Sequence, residues 1–255
     1  MIGHDVEVFK NYFCVGLEDY TTGIKTLFEI SEERNDYEAF YKYYTEFKGQ
    51  VVSFNGKFYD NLIVNYLIKY YRDLHDKPWH QITTDLKYFS DSVIMNDSNE
   101  SNKDLKYLHK WEDIDLFLYW SKGVRISKKI SLKALGIQLG YPVVQELPFH
   151  PNTILTKEDL PKLREYNMTH DLGILRLLYD NMIKEIDLRT YIKKTLNINC
   201  MSMDAPKIAS EILLKDYCAQ TKYNPNVVRK WSFTRNTIPL KDVLVGFDPF
   251  FQLDI

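Results

Sequence analysis

The order of apolar and polar residues along the chain predicts strands and helices in alternation. A hairpin or meander is expected from Ile2 to Ile30, and a further short strand from Val51 to Phe54. Apolar residues that recur every three or four positions predict helices over Asp36 to Phe47 and Asn61 to Leu74. Strands that are interspersed with helices favour an α/β domain, with a mixed sheet flanked by helices.

The rest of the chain is expected to add one strand and two helices. The strand is predicted at Ile114 to Trp120, with Asp113 and Asp115 as acids of an edge or a turn rather than ligands. A short helix is expected over Ser131 to Leu139. Asp204 is placed to cap a later helix that has a proline in its first turn. A mainly helical C-terminal part is therefore expected after the α/β domain.

Composition narrows the class of function only a little. The 255 residues carry a net charge of −2, which argues against tight, indiscriminate binding to duplex nucleic acid. Nineteen tyrosines and fourteen phenylalanines offer stacking surfaces for single-stranded bases, although most of these rings are expected to pack in the core or on the surface.

The cysteines and the apolar runs bear on location. Three cysteines are too few and too scattered for a zinc site or a disulfide framework, which fits a reducing compartment. The sequence contains no signal peptide and no apolar run that is long enough for a membrane span. We therefore expect a cytoplasmic protein without a membrane partner.

Two acidic residues lie close together near the start of the chain. In an extended strand Asp5 and Glu7 project to one face, while Val6 and Val8 point to the other. Neighbouring carboxylates repel each other, and partial burial strengthens the repulsion. A divalent cation such as Mg²⁺ or Mn²⁺ relieves it, because hard cations bind oxygen ligands. The alternative is a strand with one solvated face and a chance acidic pair.

Two further acids come from distant segments. Asp60 follows a predicted strand and turn and precedes a helix, where it could reach a metal or simply cap the helix. Asp171 lies in the apolar stripe of a helix, between Met168 and Leu175. An ionised carboxylate on such a stripe must be paired, protonated or bound to metal. Asp171 could also lie on the solvated margin of the stripe or pair with an arginine.

Three segments together resemble the motifs of DEDD-type 3′–5′ exonucleases, the DnaQ-like nucleases. Asp5-Val6-Glu7 is similar to the Asp-x-Glu motif, and residues 55–60 (Asn-Gly-Lys-Phe-Tyr-Asp) resemble the second motif. Tyr166 to Asp171 resembles the third, which is Tyr-x(3)-Asp or His-x(4)-Asp. The wider context resembles the exonuclease portion of bacteriophage DNA polymerases over about residues 1 to 185.

The resemblance implies a fold and a division of the chain. Residues 1–185 would form the exonuclease domain, with a ribonuclease H-like mixed sheet flanked by helices. Residues 186–255 would form a mainly helical extension that docks onto a partner or leads to a polymerase. The chain would then be a stand-alone exonuclease or the front part of a divided DNA polymerase.

The resemblance also implies hydrolysis of terminal phosphodiesters with two Mg²⁺ or Mn²⁺ ions. Asp5 would bridge both ions, Glu7 and Asp171 would hold the ion that activates water, and Asp60 would support the second. The substrate would be a single-stranded or frayed 3′ end of DNA, in proofreading during phage replication. The residues expected to contact it are Asn55, Lys57, Tyr59 and Phe9, and for Phe9 core packing is the alternative.

The general base stays open between two residues. Tyr166 stands five positions before Asp171, one more than in Tyr-x(3)-Asp, so that it occupies the place of the histidine in His-x(4)-Asp. Tyr166 would orient or deprotonate the attacking water. His170 competes for this role, although a histidine here could equally be a satisfied residue of the helix.

Two other functions fit the same residues. The chain could be a ribonuclease or oligonucleotide-degrading relative with the same chemistry. It could also be an inactive exonuclease fold that binds nucleic acid or a separate DNA polymerase polypeptide.

Overall fold

The computed structural model of the protein describes residues 1–95, 103–106, 108–121 and 130–230. Contacts divide the chain into two compact units, Met1–Ala209 and Ser210–Ile255. The first unit contains a five-stranded sheet. Its strands are β1 (Ile2–Phe9), β2 (Tyr12–Asp19), β3 (Lys25–Ile30), β4 (Gln50–Ser53) and β5 (Glu112–Asp115).

The sheet is mixed, with the strand order β3-β2-β1-β4-β5. Strands β1, β2 and β3 pair antiparallel, which confirms the predicted meander. Strand β4 runs parallel to β1, and β5 runs parallel to β4. Because Gly3 of β1 pairs with Val52 of β4, the carboxyl end of β4 lies beside the middle of β1. The loop that follows β4 therefore begins next to Asp5.

Helices connect the later strands and follow the last one. Several of them bury apolar side chains against the sheet. In the described part of the chain the helices are α1 (Tyr37–Glu46), α2 (Asp60–Lys69), α3 (Tyr71–Leu74), α4 (Trp79–Met95), α5 (Lys103–Lys106), α6 (Leu116–Ser121), α7 (Leu132–Gln138), α8 (Leu160–Glu165), α9 (Leu172–Asn181), α10 (Ile183–Leu196), α11 (Ala205–Thr221) and α12 (Pro225–Val228).

Two predicted elements differ from the structure. The expected strand at Ile114 to Trp120 is wrong in its second half, because β5 ends at Asp115 and α6 begins at once. Asp115 accepts a hydrogen bond from the Phe117 N–H at 3.1 Å, which satisfies an amide that starts the helix. The expected helix from Asn61 to Leu74 is interrupted at Tyr70, so that it becomes α2 and α3.

The sheet buries apolar side chains on both faces. Val6, Val8 and Val51 pack in one core cluster with α1, α2 and α4. Val52, the next residue of β4, packs in a second cluster with Leu175 of α9. Consecutive residues of one strand thus enter different clusters, because side chains alternate between the two faces of a sheet. The prediction of an α/β fold with a mixed sheet flanked by helices is confirmed.

The division of the chain by contacts differs from the predicted boundary at residue 185. Helix α10 spans that position, and Ile186 and Met201 pack in the second core cluster with Leu178. Residues 186–209 therefore belong to the first compact unit.

The described part of the second unit, residues 210–230, contains the larger part of α11 and the whole of α12. There Arg229 forms an ion pair with Glu211 at 2.6 Å. The remainder of the predicted extension, residues 231–255, lies outside the described residues. Within the described ranges, no helix combines the length and the apolar composition that a membrane span requires.

Candidate metal centre

Three carboxylates meet on one face of the sheet. Asp5 and Glu7 alternate with Val6 and Val8 along β1, and the valines enter the core on the opposite face. Asp171 comes from the segment that precedes α9. Single carboxylate oxygens of Asp5, Glu7 and Asp171 all lie within 4.8 Å of one another. Among the described residues this is the group of acidic, histidine and cysteine side chains that could hold a metal ion.

A π-helical turn places Asp171. Residues Tyr166–Asp171 form this turn, and the Leu172 N–H donates to the carbonyl of Asn167, five residues earlier. A π-turn accommodates one more residue than an α-helical turn, and such turns often occur at functional sites. The helix that follows buries Leu175, which confirms that Asp171 lies on the core side of α9.

The same turn explains the unusual spacing of the third motif. In an i→i+5 turn, residues five apart lie near one another, as residues four apart do in an α-helix. The Tyr166 hydroxyl accordingly donates to Oδ1 of Asp171 at 3.2 Å. Burial, and then the charge of Asp171, raises the pKa of Tyr166. The phenol therefore stays protonated and acts as a hydrogen-bond donor.

Asp60 lies beside the three carboxylates but outside their close group. It is the first residue of α2, and its Oδ1 accepts the N–H of Val6 at 3.1 Å. The N-cap position belongs to Tyr59 and has no side-chain capping bond, so the alternative that Asp60 is the helix cap finds no support. The carboxylate of Asp60 instead joins the start of α2 to β1 between Asp5 and Glu7.

The centre is electrostatically strained in the absence of a cation. Burial, and then the charge of Asp171, raises the pKa values of Asp5 and Glu7 well above their usual range. Burial also raises the pKa of Asp171, and it raises that of Asp60 to about 7 despite two backbone hydrogen bonds. Each shift has the sign expected when carboxylates lose water and the nearby positive charge is too small to compensate for that loss.

A cavity of about 340 Å³, which we call the acidic cavity, is lined by Asp5, Glu7 and Asp171. Helix α7 forms one wall, where Lys133 lies 5.4 Å from the centre of the Tyr166 ring and 3.1 Å from Glu146. The positive charge of Lys133 lowers the pKa values of the three acids and so opposes the effect of their burial. Phe54, from the loop after β4, lines the same cavity.

Asn167 belongs to the centre although sequence reasoning missed it. Its Nδ2 donates to Oδ2 of Asp5 at 2.8 Å and to the Asp5 carbonyl at 3.3 Å. Gly16, the β2 residue paired with Asp5, makes room for it, because a Cβ there would lie 2.0 Å from Oδ1 of Asn167. A glycine opposite Asp5 is a weak signal that becomes meaningful only when the strand pairing is known.

His170 does not face the acidic cavity. Its ring is buried, and its Nδ1 lies 3.2 Å from the carbonyl oxygen of Val143, to which an Nδ1–H donates. The residues that line the acidic cavity include Tyr166 and Asp171 but not His170. This geometry favours the interpretation of His170 as a satisfied residue of the turn over that of a general base.

The second motif is held by an acid that the sequence assigned to an edge or a turn. Asp115 is fully buried, and its two oxygens accept the N–H groups of Asn55 at 2.8 Å and Lys57 at 3.2 Å. Asn55 adopts a left-handed conformation with φ of 65°, which asparagine tolerates better than most residues. Asp115 thus holds the loop between β4 and α2 in place.

Of the predicted nucleotide contacts, the structure corrects Phe9. The ring of Phe9 is fully buried and packs with Tyr12 and Leu160, so the alternative of core packing holds. Phe9 lies on the same face of β1 as Asp5. It is buried nevertheless, because residues of the segment around α8, such as Leu160, cover this end of the strand. Tyr59 is half-buried, and its hydroxyl lies 2.8 Å from that of Ser90, so its contact with a nucleotide stays a prediction.

The comparisons with known proteins find no relative. No protein-family model matches the chain, and neither the curated proteins nor the solved structures contain a match. Function must therefore be inferred from the site.

Proposed function

We propose that the protein is a metal-dependent 3′–5′ exonuclease that hydrolyses terminal phosphodiesters of DNA. The observation that carries the proposal is the meeting of Asp5, Glu7 and Asp171 within 4.8 Å at a cavity. Asp171 lies more than 160 positions from Asp5 and Glu7 in the sequence, yet the fold brings the three carboxylates together. Their repulsion and partial burial cost free energy, which the packing of the core does not explain. Perturbed carboxyl groups in a cavity are the common signature of a functional site.

The donor set fits a hard divalent cation. All the donors are carboxylate oxygens, which Mg²⁺ and Mn²⁺ prefer. A bound cation would offset the burial and repulsion that raise the pKa values of Asp5 and Glu7. Asp5, Glu7 and Asp171 would hold one ion, and Asp5 together with Asp60 would hold a second, as the resemblance to DEDD exonucleases implies. Two such ions supply an activated water and stabilise the charge of the scissile phosphate.

The remaining residues of the centre orient its acids. Tyr166 donates to Asp171, and its raised pKa favours a role in positioning over one in accepting a proton. Asn167 holds the Asp5 carboxylate from the other side. Lys133 places a positive charge at the wall of the cavity, where it would attract the substrate's phosphate.

The mixed sheet and the order of the three motifs support the same proposal. A ribonuclease H-like arrangement is the fold that the resemblance implies, and DNA with a single-stranded or frayed 3′ end is the substrate. Proofreading beside a separate DNA polymerase polypeptide in phage replication is the proposed setting, with the cytoplasm of the host as the compartment.

The test uses a 5′-labelled single-stranded DNA and the RNA of the same sequence. Each is incubated with the protein and Mg²⁺ or Mn²⁺, and in parallel with EDTA. We expect a ladder of DNA products shortened from the 3′ end, and no products in EDTA. Glu7→Gln and Asp171→Asn should abolish the ladder, whereas Glu33→Gln, which changes an acid that does not line the cavity of the three carboxylates, should preserve it.

The outcomes separate the alternatives. A ladder with RNA only would identify a ribonuclease of the same chemistry. Absence of products with every metal and both nucleic acids, from a folded protein, would refute the nuclease proposal and leave an inactive binding module.

A further inference from the structure

A second cavity in the first compact unit is lined by lysines. Its volume is about 490 Å³, within the ~300–1,000 Å³ that is usual for ligand sites. Lys57, Lys106, Lys110 and Lys193 reach it from the loop after β4, from α5, from the segment before β5 and from α10. We call it the lysine cavity. Four lysines from four segments converge there in a chain whose net charge is −2.

The acids that line the lysine cavity are already engaged. Glu112 accepts from Lys193 at 2.5 Å and from Gln50 at 2.9 Å. Asp113 accepts from Asn61 at 3.0 Å and from the hydroxyl of Ser202 at 3.2 Å. These partners hold both acids within the protein. The charge of Lys57 acts on Asp113, but among the described residues neither acid forms an ion pair with Lys106 or Lys110.

Lys106 and Lys110 keep their charge available for a ligand. Within the described ranges of the chain, no carboxylate forms an ion pair with either side chain. Lys110 is exposed and Lys106 is half-buried, so both ammonium groups can meet a solute. Lysine binds phosphate as a compact point charge, which suits an extended anion whose exact orientation varies.

One loop borders both the lysine cavity and the acidic cavity. Phe54 lines the acidic cavity, and Lys57, three residues later, lines the lysine cavity. Asp115 holds this loop by accepting from the amides of Asn55 and Lys57. A chain of phosphates that enters the acidic cavity could therefore continue past the loop onto the lysines.

We propose that the lysine cavity binds phosphate groups of the single-stranded polynucleotide, beyond the phosphodiester that is cleaved. The inference rests on the proposed nuclease function and adds a substrate contact to it. Phosphate contacts hold and align a strand without reading its sequence. The cavity would thus raise the affinity for longer strands over short ones, whatever their bases.

The binding test needs no cleavage. A fluorescent thymidine oligonucleotide of about 12 nucleotides, within the ~4–16 nucleotides that single-strand binding folds cover, is titrated with protein in EDTA. Lys106→Glu/Lys110→Glu is compared with Lys42→Glu/Lys48→Glu, which makes the same change of net charge at exposed lysines outside the cavity. We expect the cavity variant to bind at least about fivefold more weakly and the salt slope to fall by about 1 per lysine.

The cleavage test compares two substrates in Mg²⁺. A thymidine dinucleotide has a single phosphodiester, which must occupy the acidic cavity, whereas the longer oligonucleotide can also reach the lysine cavity. We expect the ratio of kcat/KM for the long over the short substrate to fall at least about fivefold in the cavity variant, through KM, because phosphate contacts supply binding. The control variant should keep the wild-type ratio.

The two proposals can fail separately. Equal binding by the cavity variant and the control variant would overturn the lysine cavity while cleavage by the wild-type protein still stood. Loss of binding in the cavity variant alone, with no cleavage by the wild type in any metal, would support the lysine cavity as a polynucleotide site and refute the nuclease. Inorganic pyrophosphate is added as a competitor of the labelled oligonucleotide. If it displaces the label as effectively as unlabelled oligonucleotide at the same concentration of phosphate groups, the ligand is a small phosphate compound and the inference is overturned.

Discussion

Two acidic regions of the first unit differ in the partners of their carboxylates. Glu29 of β3 is fully buried, and Arg164 donates two hydrogen bonds to it at 2.6 and 2.8 Å, with a further one from Ser31 at 2.5 Å. Asp5 and Glu7 of β1 face Asp171 instead of an arginine. Glu29 is thus fully buried with an arginine in an ion pair, whereas Asp5 and Glu7 are half-buried and, among the described residues, form no ion pair.

The difference shows what to look for in a functional centre. A buried charge that is paired and bidentate is a structural contact, whose removal costs stability. Carboxylates that face one another keep raised pKa values and need a partner from solution. The predictions that follow test whether the two regions respond to mutation, pH and metal in opposite ways.

The largest effect is expected for Asp5→Ala in the acidic centre. Cleavage should fall at least about a thousandfold, or ~4 kcal/mol of transition-state stabilisation, because Asp5 would bridge both ions. The same variant in EDTA should melt at an equal or higher temperature than the wild type, since the repulsion with Glu7 and Asp171 is relieved. Clear destabilisation in EDTA would contradict this account of the centre.

Arg164→Ala should destabilise the protein, in contrast to Asp5→Ala. It leaves Glu29 buried without its cation, so the free energy of unfolding should fall by about 3 kcal/mol. The melting temperature should drop by roughly 6–12 °C for a chain of this size. The drop should be the same with and without Mn²⁺. As a control, Lys157→Ala breaks an exposed ion pair with Glu32 and should cost at most about 1 kcal/mol.

The pH dependence of stability should show that the folded protein raises the pKa of Asp60, as it raises those of Asp5, Glu7 and Asp171. Its pKa rises from 3.8 to about 7 on folding, so the folded state binds the proton more tightly than the unfolded state. The resulting stabilisation is complete below about pH 3.8 and disappears as the pH rises through about 7.

In EDTA, Asp60→Asn should therefore become more stable than the wild type, by roughly 10 °C in melting temperature, as the pH is raised across that range. Thermal melts at several pH values provide the measurement. Saturating Mn²⁺ should shrink the gap at high pH, because the ion stabilises the ionised form. A gap that does not change with pH would mean that Asp60 keeps its ordinary pKa.

Asn167→Ala should weaken metal binding by about tenfold, since partners that orient a ligand typically contribute ~10–100-fold to affinity. Calorimetric titration with Mn²⁺ measures the effect directly, without relying on cleavage. Asn181→Ala, which removes an exposed asparagine of α9, provides the matched control. Gly16→Ala should act in the same direction as Asn167→Ala, because the added Cβ displaces Asn167.

The smallest effects concern Tyr166 and His170. Tyr166→Phe removes one hydrogen bond to Asp171 and should lower kcat about three- to tenfold at saturating metal, which is the range of one such bond. His170→Gln should have less effect on kcat, because the ring faces Val143. A larger loss of kcat in His170→Gln than in Tyr166→Phe would reverse these assignments and restore His170 as the base.

Much of the acidic centre could be predicted from local patterns. The strand period places Asp5 and Glu7 opposite the valines, and the helical period places Asp171 on the core side of α9, as the structure has them. These inferences succeed because side-chain direction follows from φ and ψ alone. That Asp5 and Asp171 lie close together could be predicted only from the resemblance of the motifs, because no local rule relates positions so far apart in the sequence.

Other features escaped because they depend on neighbours that sequence order does not reveal. The short apolar run after Asp115 is compatible with a strand or a helix, and capping by Asp115 decides for a helix. The inward position of Phe9 depends on Leu160, and the role of Asn167 depends on the pairing of Gly16 with Asp5. Each of these contacts is made across the sheet or between distant segments.

Local patterns suffice to predict the α/β class, the faces of β1 and the residue types of the acidic centre, because the period of an element sets which side chains share a face. The π-helical turn that accommodates the extra residue of the third motif, and the hydrogen bonds from the second motif to Asp115, become visible only in the folded chain. A turn with an inserted residue and a buried carboxylate both depend on partners that distant segments of the fold supply.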